Sequence, residues 1–198
     1  MENPRIEDQI AISRLKQGDL LALEELVNRY QVQAVHAAYA IVYDRALAED
    51  IAQSAFVKVA GRAHQFDEER PFALWFFRIV VNDAIKAAKK QKMMISLDEQ
   101  SDGPTAKLAN WLIDPNLKPE QLVEQRETRE IILKAMQRLS PEGRAVIVMR
   151  YFLEMSEADM VTKMDRPLST IKWWLRDARK RLKNLFGSTS DAEESSLE

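Results

Sequence analysis

The sequence predicts an all-α protein in which two small helical domains are joined by a linker and the second domain carries a helix-turn-helix. Apolar residues recur every three or four positions along most of the chain, which is the period of an amphipathic helix. Only 5 of the 198 residues are glycine, too few for many tight hairpin turns or for glycine-rich phosphate loops. Three of the seven prolines fall in one stretch without helical period, between the two halves. These observations exclude Rossmann and P-loop folds.

The first predicted domain, residues 1–92, contains the pattern of four helices. A short apolar stripe indicates the first helix, and N-caps at Asp19 and Asp44 begin the second and third. Pro71 opens the fourth, because proline suits the first turn of a helix. The side chains expected to form the core include Leu26, Tyr30, Ile41, Ile51, Val59, Phe72, Phe76 and Val80.

Residues 93–120 are predicted to form an acidic, proline-containing linker. From residue 96 onward this segment has five acids against two lysines and no sustained period. Since few contacts usually cross such a linker, we expect the two domains to fold separately. An apolar cluster within the linker either docks on one of the domains or contacts a partner. The cluster comprises Leu108, Trp111, Leu112 and Ile113.

The second predicted domain, residues 121–186, ends in the helix-turn-helix. Ser140 is a predicted N-cap, and a proline follows it at the first helical position. Ser156 and Asp159 have the spacing of a capping box, which begins a short helix. Ser169 is expected to cap the last helix. The apolar stripe of that helix comprises Ile171, Trp174, Leu175, Ala178, Leu182 and Leu185.

Charge is distributed unevenly along the chain. The formal net charge is −2, so the molecule as a whole is not drawn to nucleic acid. Residues 78–92 nevertheless carry five basic side chains against one acid, and residues 166–183 carry seven against one. A basic outer face on a helix that another helix holds from behind suits the DNA major groove, although a solvated basic helix in an ordinary bundle has the same pattern. The acidic tail, residues 187–198, is predicted to be disordered.

Enzyme chemistry finds little support in the sequence. The absence of cysteine excludes disulfides, cysteine-ligated zinc and thiol catalysis. His36 and His64 lie in different segments, and neighbouring carboxylates on a helix point about 100° apart. We therefore expect no catalytic residue, no metal and no cofactor. The longest apolar run, from Ala37 to Tyr43, is far shorter than the ~18 residues of a membrane span, so we predict a cytoplasmic protein without membrane insertion.

Several motifs resemble one family in order and spacing. Ala48–Gln53 is similar to the region 2 helix that grips the polymerase clamp, and Phe72–Ile79 is similar to the strand-opening helix of the same region. Leu139–Arg144 and Ser169–Lys172 are similar to motifs of region 4. Over roughly residues 19–186, the chain resembles the extracytoplasmic-function group of bacterial RNA polymerase sigma factors.

The resemblance implies an alternative sigma factor that binds core RNA polymerase and promoter DNA. By motif position, the implied contacts to the polymerase are Asp50 and Gln53. The implied minus-ten residues are Phe66, Asn82, Lys86, Lys89 and Lys90. The implied minus-thirty-five residues are Ser169, Thr170, Lys172, Trp173, Arg176, Arg179 and Lys180. Phe66 is implied to stack on an extruded base, although an aromatic beside an apolar helix is more often part of the core.

The chain also departs from the family pattern. Lys86 stands where aspartate is often found, and Val81 stands where arginine is common. Trp173 and Trp174 replace the usual Ser-Arg pair, and Asp177 replaces a frequent arginine. The first two departures point to an altered minus-ten readout, and because of the others the minus-thirty-five sequence cannot be borrowed from relatives.

Two other classes of protein stay open at this point. One is an autonomous two-domain helix-turn-helix regulator with an N-terminal effector domain, and the other is a helical adaptor whose basic helix binds protein. A regulator is expected to dimerise and to bind DNA alone, whereas a sigma factor is expected to be a monomer when free. The resemblance leaves an anti-sigma factor open as a further partner.

Overall fold

A computed structural model describes residues 4–95 and 132–194 of the chain. In these two ranges the ordered elements are helices and turns, with no strand, which confirms the predicted all-α fold. The N-terminal domain contains α1 (Pro4–Lys16), α2 (Leu21–Val42), α3 (Arg45–Arg62) and α4 (Phe72–Ile95). The C-terminal domain contains α5 (residues 132–137), α6 (Pro141–Ile147), α7 (Glu157–Met164) and α8 (Leu168–Glu194). Within the same ranges no helix is both long and apolar enough to cross a membrane.

An aromatic cluster forms the centre of the N-terminal domain. Phe72 and Phe76 of α4 are at most 2% exposed, and their rings stack with centroids 5.7 Å apart. Phe56 of α3 lies 4.5 Å from Phe76, and Tyr30 of α2 contacts the same pair. Tyr30 also donates a hydrogen bond to the buried carboxylate of Asp8, which ties α1 to α2.

The N-caps predicted in this domain are found, with one shift. The Asp44 carboxylate accepts a hydrogen bond from the backbone N–H of Leu47, so it caps α3 as expected. The Asp19 carboxylate accepts from the N–H of Leu21 at 3.0 Å. Leu20, the residue after Asp19, has helical backbone angles but is not part of α2. The helix therefore begins at Leu21, one residue later than an N-cap at Asp19 implies.

The C-terminal domain follows its predicted caps at two of three positions. Ser140 accepts from the N–H of Gly143, and Ser156 forms a full capping box with Asp159. Ser169 does not cap the last helix. The carbonyl of Pro167 accepts hydrogen bonds from the backbone N–H groups of Thr170 and Ile171. The helix has therefore already begun at residue 168.

Two further stretches of the C-terminal domain differ from expectation. The helix that begins at Pro141 changes to a π-helical turn at Val148–Phe152, which the apolar period does not indicate. Helix α8 continues to Glu194, whereas residues 187–198 were expected to be disordered. No proline interrupts the helix before that point. The predicted linker lies outside the described residues from residue 96 onward, together with the Trp111 cluster.

The two domains are packed against each other, so the expectation that few contacts join them is wrong. Helices α2 and α4 both contact the C-terminal domain. The Tyr43 hydroxyl donates to the carbonyl of Leu133 at 3.2 Å, and the Arg144 guanidinium lies 5.0 Å from the centre of the Tyr43 ring. Ala40 and Ile147 line one apolar cavity of about 310 Å³ between the domains. Linker composition says nothing about such long-range packing.

Candidate nucleic-acid interface

The helix phase of α8 separates a buried seam from an exposed basic face. Ile171, Leu175 and Ala178 are at most 1% exposed and pack into the C-terminal domain. Trp174 is half-buried against the same core, whereas its neighbour Trp173 is 53% exposed. Consecutive residues on a helix point about 100° apart, so the two tryptophans have different surroundings. The predicted phase of this helix is confirmed.

Most of the predicted minus-thirty-five residues lie on the exposed face of α8. Thr170 is half-buried, and the others are exposed, namely Ser169, Lys172, Trp173, Arg176, Arg179 and Lys180. The Lys172 ammonium is 4.0 Å from the Glu157 carboxylate. Arg179 donates to the Tyr151 hydroxyl at 2.9 Å, and its guanidinium lies 5.9 Å from the centre of that ring. This face therefore combines several accessible cations with one exposed indole ring.

The predicted minus-ten residues of α4 lie next to the C-terminal domain. The side-chain amide of Asn82 donates to the backbone carbonyl of Lys163 at 3.3 Å. The Lys89 ammonium is 2.5 Å from a carboxylate oxygen of Glu142. Lys86 and Lys90 are exposed. Two of the four α4 residues therefore already have partners within the chain.

A cleft of about 490 Å³ brings residues from both predicted sets together. Asn82, Lys86 and Lys89 line it from α4, and Thr170 and Trp174 line it from α8. Arg166, an exposed residue in the turn before α8, completes the rim of the cleft. The sequence did not indicate that the two predicted DNA surfaces share a cleft.

Phe66 is part of the aromatic core and is only 4% exposed. Its ring centroid is 5.2 Å from that of Trp75 and 5.9 Å from that of Phe72. The lysine of α1, Lys16, donates to the Phe66 carbonyl at 3.0 Å and fixes the loop further. This burial fits the alternative in which Phe66 belongs to the core. To stack on a DNA base, the Phe66 ring has to leave this packing first.

A second basic cavity, of about 410 Å³, joins Lys86 to three cations outside the predicted minus-ten set. Lys58 and Arg62 reach it from α3, and Arg78 and Lys86 reach it from α4, with Trp75 at one side. Lys58 is partly neutralised, because its ammonium lies 2.6 Å from the carboxylate of the α4 residue Asp83. The spacing of four between the two α3 cations was a signal that they share a face.

The predicted polymerase contacts are solvent-exposed. Asp50 and Gln53 lie on α3, whose residues Ile51 and Ala55 are buried in the core. Val57, one turn after Gln53, is 71% exposed. Helix α3 therefore offers a surface with a carboxylate, an amide and an exposed apolar side chain.

Two ionisable groups at the contact between the domains have shifted pKa values. Burial alone raises the pKa of Glu142, but the hydrogen bond from Lys89, with the charges of Lys89 and Arg166, holds it below its ordinary value. Burial lowers the pKa of Lys163, the neighbouring Arg78 and Arg70 lower it further, and Asp159 offsets these effects only in part. The contact therefore contains one favourable ion pair and one group of like charges.

Comparison with known proteins identifies the family. The model of sigma-70 region 2 matches residues 26–93, and that of sigma-70 region 4 matches residues 129–182. The extracytoplasmic-function sigma factor SigW of Bacillus subtilis is 28% identical over 173 residues, which cover 87% of this chain and 92% of its own length.

Two solved structures have the same fold. CnrH, solved in complex with the cytosolic domain of CnrY, is 21% identical with a TM-score of 0.64, over 92% of this chain and 98% of that chain. The sigma factor RpoE of Bartonella quintana, solved in complex with the anti-sigma factor NepR, is 17% identical with a TM-score of 0.58, over 88% and 98% of the two chains.

An autonomous regulator does not account for these matches, because the N-terminal half also corresponds to a sigma region. The two family models match in the predicted order and together cover more than half of the chain. The chain therefore belongs to the extracytoplasmic-function group of bacterial RNA polymerase sigma factors, which bind core polymerase and direct transcription initiation at promoters.

Proposed function

We propose that the exposed face of α3 binds core polymerase and that two surfaces, one on α4 and one on α8, bind promoter DNA. The observation that carries this proposal is the division of α8 into a buried apolar seam and an exposed basic face. A helix of this kind, held from behind by its own domain, presents side chains to phosphates and base edges in the major groove.

Asp50 and Gln53 are the proposed polymerase contacts. Both are exposed on α3, and a carboxylate and an amide pair with polar groups of a partner helix. Charge reversal in Asp50→Lys is expected to weaken binding to core polymerase about tenfold, since like charges then meet at the interface. A pull-down with purified core polymerase measures this effect. Glu24→Lys, the same change at another exposed acid, is the control, and equal binding by both variants contradicts the assignment.

The minus-ten surface is proposed to comprise Asn82, Lys86, Lys89 and Lys90. The amide of Asn82 suits a base edge, and the ammonium groups suit phosphates. The basic cavity beside them, with Lys58, Arg62 and Arg78, extends the path available to a single strand.

The minus-thirty-five surface is proposed to be the exposed face of α8. Arg176 lies near its middle, between Trp173 and Lys180. Arg176→Ala is expected to weaken promoter binding by about 1–3 kcal/mol and to relax sequence preference if it contacts a base, or to reduce the salt dependence if it contacts a phosphate. Binding of the reconstituted holoenzyme to promoter fragments at several salt concentrations separates these outcomes. Unchanged affinity and unchanged salt dependence remove Arg176 from the surface.

We also propose that the protein acts in the cytoplasm, that it is a monomer when free, and that it has no enzymatic activity of its own. An inhibitory anti-sigma protein is a proposed partner, because RpoE was solved with one. Sequencing of transcripts begun by core polymerase with and without the chain tests the whole proposal. New start sites that share upstream elements are expected, and failure to associate with core polymerase contradicts it.

A further inference from the structure

The contact between the domains places two proposed DNA-binding side chains against acceptors of the chain itself. The Lys89 ammonium meets a carboxylate oxygen of Glu142 at 2.5 Å. The Asn82 amide donates to the Lys163 carbonyl at 3.3 Å. A carboxylate offers an ammonium the same kind of acceptor as a phosphate, and a peptide carbonyl offers an amide the same kind of acceptor as a base edge.

We propose that the C-terminal domain closes over α4 as an internal substitute for the minus-ten strand. Glu142 takes the place of a phosphate, and the Lys163 carbonyl takes the place of a base acceptor. The inference rests on the proposed minus-ten role of Asn82 and Lys89. Because the C-terminal domain lies on the side of α4 that carries Asn82 and Lys89, and Glu142 and the Lys163 carbonyl share these donors with any incoming acceptor, the DNA strand and the C-terminal domain compete for α4. The domains therefore separate when the strand binds.

The balance of charges makes this closure reversible. The bonds of Tyr43 to the C-terminal domain and the ion pair of Glu142 favour the closed chain. The Lys163 side chain opposes it, because burial and the neighbouring Arg78 and Arg70 disfavour its charge more than Asp159 favours it. A nucleic-acid strand supplies further anions to Lys163 and Arg78 and so favours the open chain.

The cleft gives an incoming strand a first point of contact. Lys86 and Arg166 are exposed at its edge while the domains are closed. Phosphates are therefore attracted to this edge before Lys89 exchanges Glu142 for a phosphate.

The full chain suits a direct test, because it contains no cysteine. Leu20→Cys and Asn184→Cys are exposed positions in the two domains and accept a donor and an acceptor fluorophore. The test variant is Glu142→Gln. Its matched control is Glu25→Gln, which removes an ion pair of the same 2.5 Å length to Arg14 inside the N-terminal domain. The probe is a short single-stranded DNA of mixed sequence.

Glu142→Gln is expected to lower energy transfer between the domains and to tighten binding of the probe about two- to fivefold, the effect of one partly exposed ion pair. The probe is expected to lower transfer in the parent chain, since coupling between two equilibria is reciprocal. Glu25→Gln is expected to change neither quantity. Glu142 also lies in the first turn of α6, so thermal unfolding checks that the variant is folded. Titrating the labelled parent chain with salt gives the transfer readout without any substitution beyond the two labelling positions.

Lys89→Gln in the Glu142→Gln background separates the inference from the proposed function. If this second change weakens probe binding while Glu142→Gln alone neither tightens it nor lowers transfer, the internal substitute is disproved and the minus-ten role of Lys89 stands. If the second change leaves probe binding unchanged, the minus-ten role of Lys89 fails, and the inference fails with it. Glu142→Lys provides a larger perturbation, expected to tighten probe binding about tenfold or more because it meets Lys89 with a like charge.

Discussion

The two proposed DNA surfaces differ in how much of each is accessible in the free chain. On α8, Trp173 is 53% exposed and Arg176 lies in solvent. On α4, Asn82 and Lys89 are bonded to the C-terminal domain, although the Lys89 side chain keeps 54% of its surface exposed and Lys86 and Lys90 are also exposed. One surface is therefore open and the other is half covered.

The difference follows from where each helix finds its packing partners. Helix α8 buries its seam against α6 and α7 of its own domain, and most of its basic face lies in solvent, with Lys172 4.0 Å from Glu157 of α7. Helix α4 packs on α2 and α3 on one side and receives the second domain on its polar side. We therefore expect contacts of α8 with DNA to precede those of α4, because only the second set requires the domains to separate.

The largest expected effect concerns the open surface and uses the tryptophan pair. Trp174→Ala removes a ring that packs on the core, so we expect the C-terminal domain to lose about 3 kcal/mol of stability, at the lower end for tryptophan because the ring is only half-buried. Trp173→Ala is expected to change stability by less than about 0.5 kcal/mol and to reduce promoter-specific transcription. Thermal unfolding and transcription with reconstituted holoenzyme measure the two effects. The reverse result, with Trp173→Ala unfolding the domain, contradicts the division of α8 into two faces.

Local features of the sequence predicted most of the secondary structure and the open surface. The capping box at Ser156, the N-cap at Asp44 and the phase of α8 depend on residues within a few positions of each other. The half-covered surface depends on residues far apart in the chain, such as Asn82 and Lys163. No local pattern carries that information, and the same holds for the burial of Phe66 against Trp75.

A smaller effect is expected at the half-covered surface of α4, where like charges oppose docking of the C-terminal domain. Lys163 is 8% exposed, and burial together with Arg78 and Arg70 lowers its pKa. Lys163→Met keeps the apolar stem and removes the charge, so we expect the closed arrangement to gain about 1 kcal/mol, equivalent to about fivefold weaker binding of single-stranded DNA. Energy transfer between the labelled domains is expected to rise. Lys134→Met, at an exposed position of α5, is the control, and an equal response from it removes the special role of Lys163.

The smallest expected effect is the pH dependence of docking through Glu142. Its pKa is held below the ordinary value in the closed chain, although burial acts in the opposite direction, because Lys89 bonds to the ionised form. A carboxyl group with a lowered pKa stabilises the closed chain above its ordinary pKa and loses that contribution as the pH falls through the lowered value. Closure is therefore expected to weaken below the ordinary value of 4.5, by less than about 1 kcal/mol. Energy transfer measured from neutral to acidic pH is expected to fall more steeply in the parent chain than in Glu142→Gln, in which this carboxyl group is absent, and parallel curves contradict the role of the Lys89 ion pair in closure.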